Sequence, residues 1–535
     1  MARLKQYCQQ ALGYYWQRVG SREGIALLFL MVLGFAIRWP KLWEIPRFID
    51  ELREVKLAWQ LANFQTFALH NVAHDIGALH NYLMAVGFGF LGANLYWPRF
   101  YVLLTSILTL PIIYLTGKRF FSPLTGWSAA LLLLTNGMHI LVTHMAWANC
   151  TTPFFFSLAL FFTMNAEAER SERQLRTAAL LWALTLQTHF SVTVYLLTLA
   201  CYFGWREWRG TGLFSFRQYL RAVWFFVLGY LNMLVYNLFT LGGSLRWLHN
   251  KSYTLEQEPG VFSYLQNVGA MVVELFRTIS STYELPHFWG KYLTYPLFLL
   301  GLIVFGAGCY FAARIKQYLP LWLLAGGVLI IPWVNQRYDF YVSTRYIMPL
   351  VLCALLIAGF GLDNLWRMFF RKFPAMKQAA IPVAVLGIVL VAVPLIPLSQ
   401  YYQRLNRTDM SNDLSFQIVQ TVTALSKSQP VLVLLDPKLA IPNDPLPTLF
   451  TIAKIKYQVV TEPSRVWPST ALRRLERKNR NRRLLAVLNQ TTYRQIAIQS
   501  RVKLVRDFTI RKLLAVPVEK RKYQKAYIVM IKPPQ

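Results

Sequence analysis

The chain has 535 residues, is 55% hydrophobic, and carries a net charge of +32 from 56 Lys+Arg against 24 Asp+Glu. A soluble protein this apolar would expose too much greasy surface, so the profile is that of a polytopic α-helical membrane protein. The basic residues sit mostly at the ends of apolar runs, where the positive-inside rule accounts for them, and this excludes nucleic acid as the partner.

Residues 1–22 are polar and basic and hold no cleavable signal. A membrane span needs about 20 apolar residues. Candidate spans follow at roughly 24–43, 100–117, 126–145, 153–165, 177–189, 190–205, 222–241, 294–313, 319–334, 346–363 and 380–400. With these eleven spans, Arg18/Arg22, Lys118/Arg119, Arg170/Arg173/Arg176, Arg206/Arg209, Arg314/Lys316 and Arg367/Arg371/Lys372 all fall on one side, the cytoplasm. The apolar run 77–96 would invert every later cluster if it crossed. It is therefore expected to lie in the outer leaflet. Residues 242–293 form a long outer loop in this scheme.

Beyond residue 400 the composition changes. Residues 401–535 hold 25 basic against 8 acidic residues, a net of +17 out of the +32. The runs 431–435, 457–460, 483–488 and 526–531 read as short buried strands, and LSFQIVQTVTALSK and TTYRQIAIQ as helices. Two domains are expected: a transmembrane module, 1–400, and a small extracytoplasmic α/β domain, 401–535. The basic outer domain suits anionic headgroups or polyanionic glycans, or is simply a solvated basic surface. Five scattered cysteines with no CxxC argue against a disulfide framework or a thiolate metal site.

This topology collects polar residues on the outer face. RFIDELREVKLAWQ, residues 47–60, places Asp50, Glu51 and Glu54 just after the first span. All eight histidines lie at or near the same face. Ionisable groups at a membrane boundary are costly without a use, so a site is expected there. Asp50 can act as a general base or an anchor for an acceptor nucleophile, or it can simply charge the N-terminus of the next helix. Asp75, with His74 and His80 nearby, is similarly either a helix cap or a site residue. A divalent cation is the one candidate cofactor, with Asp75, His74 and Glu51 as its candidate ligands, although no HExxH spacing occurs. Arg345 and Tyr346 open a span at its outer end. A guanidinium there suits a lipid phosphate, or it snorkels to the headgroups.

Several stretches resemble one family in its own order: the acidic pair Asp50-Glu51 after the first span, DIGALHNYLMA, THMAWANCTTPFFFSLALFF, LQTHFSVTVYLL and STRYIMPL. Together they cover most of residues 30–360. They resemble the protein O-mannosyltransferase and aminoarabinose transferase group of GT-C glycosyltransferases (dolichyl-phosphate-mannose-protein mannosyltransferase-like). His144 and Ala148 stand where relatives usually carry Arg and Asn. The resemblance implies transfer of a sugar, hexosyl or pentosyl, from a polyprenyl-phosphate donor to an envelope glycan, lipid or protein hydroxyl, with inversion. It makes Asp50 the catalytic base, Glu51, Asp75, His74, His80 and Asn149 acceptor-positioning residues, and Arg345 with Tyr346 the lipid-phosphate ligands. It places the protein in the inner membrane with its site outside. The rival class is a transporter or flippase of lipid-linked sugars. It predicts internal repeats and midplane polar groups, whereas no repeat is evident and the acids collect at one face.

A reporter fused after residue 400 is expected to read extracytoplasmic, and one fused at residue 97 to read the same side as residue 70. A cytoplasmic signal after residue 400 would separate the outer domain from Asp50 and Arg345.

Overall fold

The computed structural model describes residues 21–40, 42–43, 49–250, 260–280, 282, 290–334, 344–372, 395–396, 398–399, 414–436, 445–459, 477–479, 481–489, 493–494, 502–510 and 524–531. The expected span 380–400 and the expected helix 491–499 lie largely outside these residues.

The chain begins as a helical bundle. α1 (Ser21–Arg38) packs on α4 (Trp97–Phe120), and between them lie α2 (Ile49–Ala62) and α3 (Leu79–Leu91). α4 and α5 (Pro123–Leu134) touch backbone to backbone: a Cβ on Gly117 would lie 2.6 Å from Gly126 Cα. α5 starts on Ser122, whose hydroxyl accepts from Thr125 N at 3.0 Å, with Pro123 at the first helical position. Its last carbonyls, Leu133 and Leu134, accept from the buried Arg38 guanidinium at 3.2 and 3.0 Å. Those orphan groups are thus satisfied in a place without water.

The expected span 126–145 is broken. α5 ends at Leu134, and Asn136 caps a new short helix, α6 (Gly137–Val142), by accepting from His139 N at 2.9 Å. A 3-10 turn, Ala148–Thr151, leads into α7 (Thr152–Glu169). α8 (Glu172–Leu186) and α9 (Val192–Trp208) are separate helices, as their flanking charges require. The expected span 222–241 is also two pieces, α10 (Phe216–Gly229) and α11 (Leu231–Phe239), bent by 71°. The expected outer loop 242–293 contains α12 (Gly243–Asn250) and a 19-residue amphipathic helix, α13 (Val261–Ile279). α13 packs on α15 (Tyr318–Val334) and α16 (Thr344–Lys372), beside α14 (Gly290–Arg314). Its charged and polar positions interrupt the apolar run, so a search for continuous spans passes over it.

Among the described residues two helices are long and apolar enough to cross a membrane, Trp97–Phe120 and Tyr346–Arg371, with the bent pair as a third. α3 has 13 residues. At 1.5 Å per residue it is about 20 Å long, short of a ~30 Å hydrocarbon core.

The C-terminal part is a small α/β unit. α17 (Leu414–Ser426), β1 (Val431–Leu435), α18 (Pro445–Ile452), β2 (Lys456–Val459), β3 (Arg483–Asn489), β4 (Val502–Ile510) and β5 (Gln524–Ile531) form a five-stranded sheet ordered β2-β1-β3-β5-β4. β1 runs parallel to both neighbours, with Val433 opposite Tyr457 and Leu485. A central parallel strand is covered on both faces, which is why VLVLL is an unbroken buried run. β5 closes antiparallel on β3 and β4. β4, VKLVRDFTI, is the strand missing from the sequence reading, because its charges break the apolar pattern.

A buried ion pair joins the start of α2 to the bundle. Glu51 receives Arg99 Nε at 2.7 Å and Nη2 at 2.9 Å, and Arg99 Nη1 donates to Leu42 O at 2.8 Å. Both side chains are about 1% exposed. Removing one member of such a pair leaves an uncompensated buried charge, a cost of about 3–5 kcal/mol. Arg99→Ala and Glu51→Gln are each expected to lower unfolding stability in detergent by that order, and Glu51→Leu with Arg99→Met to recover most of it. Wild-type stability in either single variant would show that the pair does not anchor α2.

Candidate active site

The site is built on α2. Of the three acids in the DELRE stretch, two are structural. Glu51 is held by Arg99 as described. Glu54 Oε2 accepts from Ala148 N at 2.8 Å, capping the 3-10 turn, while its own carbonyl accepts from Asn81 Nδ2 at 3.1 Å. His80 Nε2 lies 3.7 Å from Glu54 Oε2 and 3.3 Å from Ala146 O. Burial pushes the His80 imidazole down to about 4, against a weaker opposing pull from the Ala146 carbonyl. His80 is therefore neutral at physiological pH, and Nε2–H donates to Ala146 O. Asp50 stands in the first turn of α2, three residues before Arg53; its side chain is outside the described set.

The face of α2 turned away from these anchors is open. Arg53, Lys56, Leu57 and Gln60, at the i, i+3, i+4, i+7 spacing of one helical stripe, form one wall of a cleft of about 550 Å³. Thr66–Val72 and Tyr236 form the other wall. The cleft thus carries two cations, two carboxamides, an imidazole and a phenol among apolar side chains, a donor set suited to an anionic, hydroxylated ligand. Arg53, Lys56 and Tyr236 were not among the residues expected from sequence. The stripe spacing was the signal that could have found the first two. Tyr236 is brought in by the bend after α10, which no local pattern announces.

The wall opposite α2 is tightly laced. His74 Nδ1 lies 2.7 Å from Tyr236 Oη, and the His74 ring stacks on Trp247 at 4.6 Å and 8°. His70 packs between them, 4.3 Å from His74 and 4.4 Å from Tyr236 by ring centroids. Asn232 Nδ2 donates to Leu69 O at 2.7 Å, and Gln187 Nε2 to Gly229 O at 2.6 Å. Gly77 passes so close to Gln187 that a Cβ there would meet the carboxamide oxygen at 2.5 Å. Asp75 is buried, and its Oδ1 has no hydrogen-bond partner among the described residues.

The expected residues fall into three groups. Glu51, His80 and Asn149 lie beneath α2 and in the 3-10 turn; Asn149 is buried and accepts from Cys150 Sγ at 3.4 Å. His74 and Asp75 lie in the laced loop. Tyr346 stacks on His189 at 4.6 Å, which ties the start of α16, and so Arg345, to the turn after α8. The side chain of Arg345 is outside the described set. Among the described residues no group of three His, Cys, Asp or Glu side chains could hold a metal ion.

No protein-family model and no curated protein matches the chain. Solved structures do. ArnT from Cupriavidus metallidurans in the apo state aligns over 96% of this chain and 100% of that one, with a TM-score of 0.54 and 14% identity. The same protein bound to undecaprenyl phosphate aligns over the same shares at a TM-score of 0.50 and 16% identity. From the first helix to the last strand, this chain has the fold of ArnT.

Proposed function

We propose that the protein is a membrane glycosyltransferase that moves a sugar from a polyprenyl-phosphate donor to an acceptor hydroxyl on the extracytoplasmic side, with inversion. The observation that carries this reading is a fold shared over 96% of the chain with a protein whose structure holds undecaprenyl phosphate, combined with a cation-lined cleft on the helix whose first turn holds Asp50. The topology is the eleven-span one, with residues 1–400 as the membrane module and 401–535 outside.

In this mechanism Asp50 accepts the acceptor's hydroxyl proton as the acceptor oxygen attacks the anomeric carbon. The bond from that carbon to the phosphate oxygen breaks on the opposite face, which inverts the centre. The departing phosphate takes the electron pair and gains charge. Arg345, assisted by Tyr346, holds it, and the planar two-pronged guanidinium suits a phosphate. Arg53 and Lys56 add positive potential along the cleft. Asp75, His74 and Asn149 position the acceptor. Glu51 and His80 act through the packing of α2. A divalent cation, if the reaction uses one, would draw on Asp75 and His74. The donor carries its own activation, so no nucleotide site is required.

The test is release of undecaprenyl phosphate from donors bearing labelled mannose or 4-amino-arabinose, with purified protein in nanodiscs. Asp50→Asn keeps shape and capping ability but cannot take a proton, so a loss of at least ~10²-fold in rate is expected with donor binding retained. Near-normal turnover at unchanged stability removes Asp50 from the mechanism and points to Asp75. Arg345→Lys is expected to cost about 2–3 kcal/mol in transition-state stabilisation. Wild-type rates there mean that Arg345 merely reaches the headgroups. Movement of intact donor between leaflets without transfer would identify the flippase instead.

A further inference from the structure

We infer that Leu52 is a positioning residue, through which the C-terminal domain fixes the roll of α2 and with it the place of residue 50. This rests on the glycosyltransferase reading for its effect on rate, though not for its effect on the helix.

Leu52 is 3% exposed, yet it does not belong to the main core of the bundle. It sits in the hydrophobic core of the C-terminal domain, in one cluster with Ile418, Val422, Leu446, Leu449 and Phe450. α18 packs directly on α2. A second contact is polar: Gln420 Nε2 of α17 donates to Tyr96 Oη at 2.8 Å, just before α4. A side chain from one end of the chain thus completes a core formed by residues more than 360 positions away.

The geometry around α2 gives this insertion a consequence. Successive helical residues diverge by about 100°. Positions 52 and 50 therefore lie on nearly opposite sides of the helix axis. Glu51 grips Arg99 on a third side, and Glu54 caps the Ala148 turn close to the Asp50 side. Three grips surround the helix and leave open only the stripe of Arg53, Lys56, Leu57 and Gln60 that walls the cleft. Glu51 and Glu54 are polar contacts to the bundle, each on one arc. Val55 and Trp59, at i+3 and i+7 from Leu52, seat the later turns of this side in the bundle core, so Leu52 is the apolar seat of the first turn, where residue 50 stands. A roll of ~20° moves a side-chain tip ~6 Å from the axis by about 2 Å, and a displacement of ~1 Å at a reacting group can cost ~10²-fold in rate.

The experiment uses the full-length protein in nanodiscs. Leu52→Ala is expected to lower kcat at least tenfold with the donor KM within twofold, and to raise amide hydrogen exchange across residues 49–62. Leu52→Met, unbranched and of similar volume, is expected to restore both. Val529→Ala removes core volume from β5 of the same domain, at a buried residue outside the cluster that holds Leu52. It is the control for loss of domain stability alone, and it should leave exchange in 49–62 and kcat near wild type. Unchanged exchange across 49–62 in Leu52→Ala overturns the inference, whatever the turnover. So does a loosened α2 with wild-type kcat, or the same changes in Val529→Ala at equal domain stability. If the wild-type protein releases no undecaprenyl phosphate from any donor, the glycosyltransferase reading fails, and the exchange measurement alone decides whether the domain seats α2.

Discussion

The pair of Glu51 and Arg99 sets the orientation on which the rest of the candidate site is built. It joins the start of α2 to the start of α4 through two charge-assisted bonds of 2.7 and 2.9 Å, and the third arm of the guanidinium ties in the chain at Leu42. A buried ion pair of this kind contributes little net stability, because desolvating both charges offsets most of their attraction. Its geometric demand is severe, however. A bidentate fork tolerates little rotation, so it restricts the azimuth of α2 relative to α4 to a narrow range that the other contacts of the helix complete. Glu54 then falls against the Ala148 amide, Leu52 faces the C-terminal domain, and the cationic stripe faces the cleft.

The remaining acids divide by side. At the opposite end of the bundle, Glu23 receives Lys118 Nζ at 2.6 and 2.7 Å, Glu167 pairs with Arg206 at 3.0 Å, Glu172 with Arg221 at 3.0 Å, and Asp363 with Arg367 at 2.7 Å. Lys118, Arg206 and Arg367 belong to the basic clusters that the positive-inside rule assigns to the cytoplasm. Partly exposed pairs of this sort add little individually. Asp363 does more, since it also accepts from Ser122 and Thr125 at the start of α5. These acids thus neutralise or cap. Asp75 differs from them: it is buried and retains an oxygen without a hydrogen-bond partner among the described residues.

Much of this was legible in the sequence, and the failures have physical causes. Apolar runs with charged ends located α4, α8, α9, α15 and α16, because length and flanking charge are properties of the segment itself. The strands β1 and β3 were legible for the same reason, each holding an unbroken buried run, and β5 from its apolar AYIVMI stretch. The breaks at Asn136 and Tyr230 were not, since a helix interrupted inside a protein keeps the hydropathy of a continuous one. α13 was missed because its burial against α15 and α16 is one-sided and its stripe is shorter than a span. At the site, the DELRE acids stood out, but their division of labour did not. Nothing local to residue 51 says that Arg99, 48 positions on, will take both its oxygens.

The bend between α10 and α11 bears on what the cleft can do. Broken helices in membranes often expose backbone groups to a transported ion, which is the feature a carrier would use. Here the polar groups at the break are already occupied. Gly229 O accepts from Gln187, and Asn232 donates both to Leu69 O and to Gln187 Oε1 at 3.1 Å. The loop they hold is itself closed, with Asn71 N donating to Ile76 O at 2.8 Å and His70 bridged to Gly77. The bend therefore serves to bring Tyr236 and the loop up against α2, and non-helical backbone near the membrane is tolerated because protein partners satisfy it. A wall fixed in this way suits a site whose ligand must be held still while one bond forms and another breaks. It suits poorly a gate that must open to either side, because opening would strip each of these buried groups of its partner.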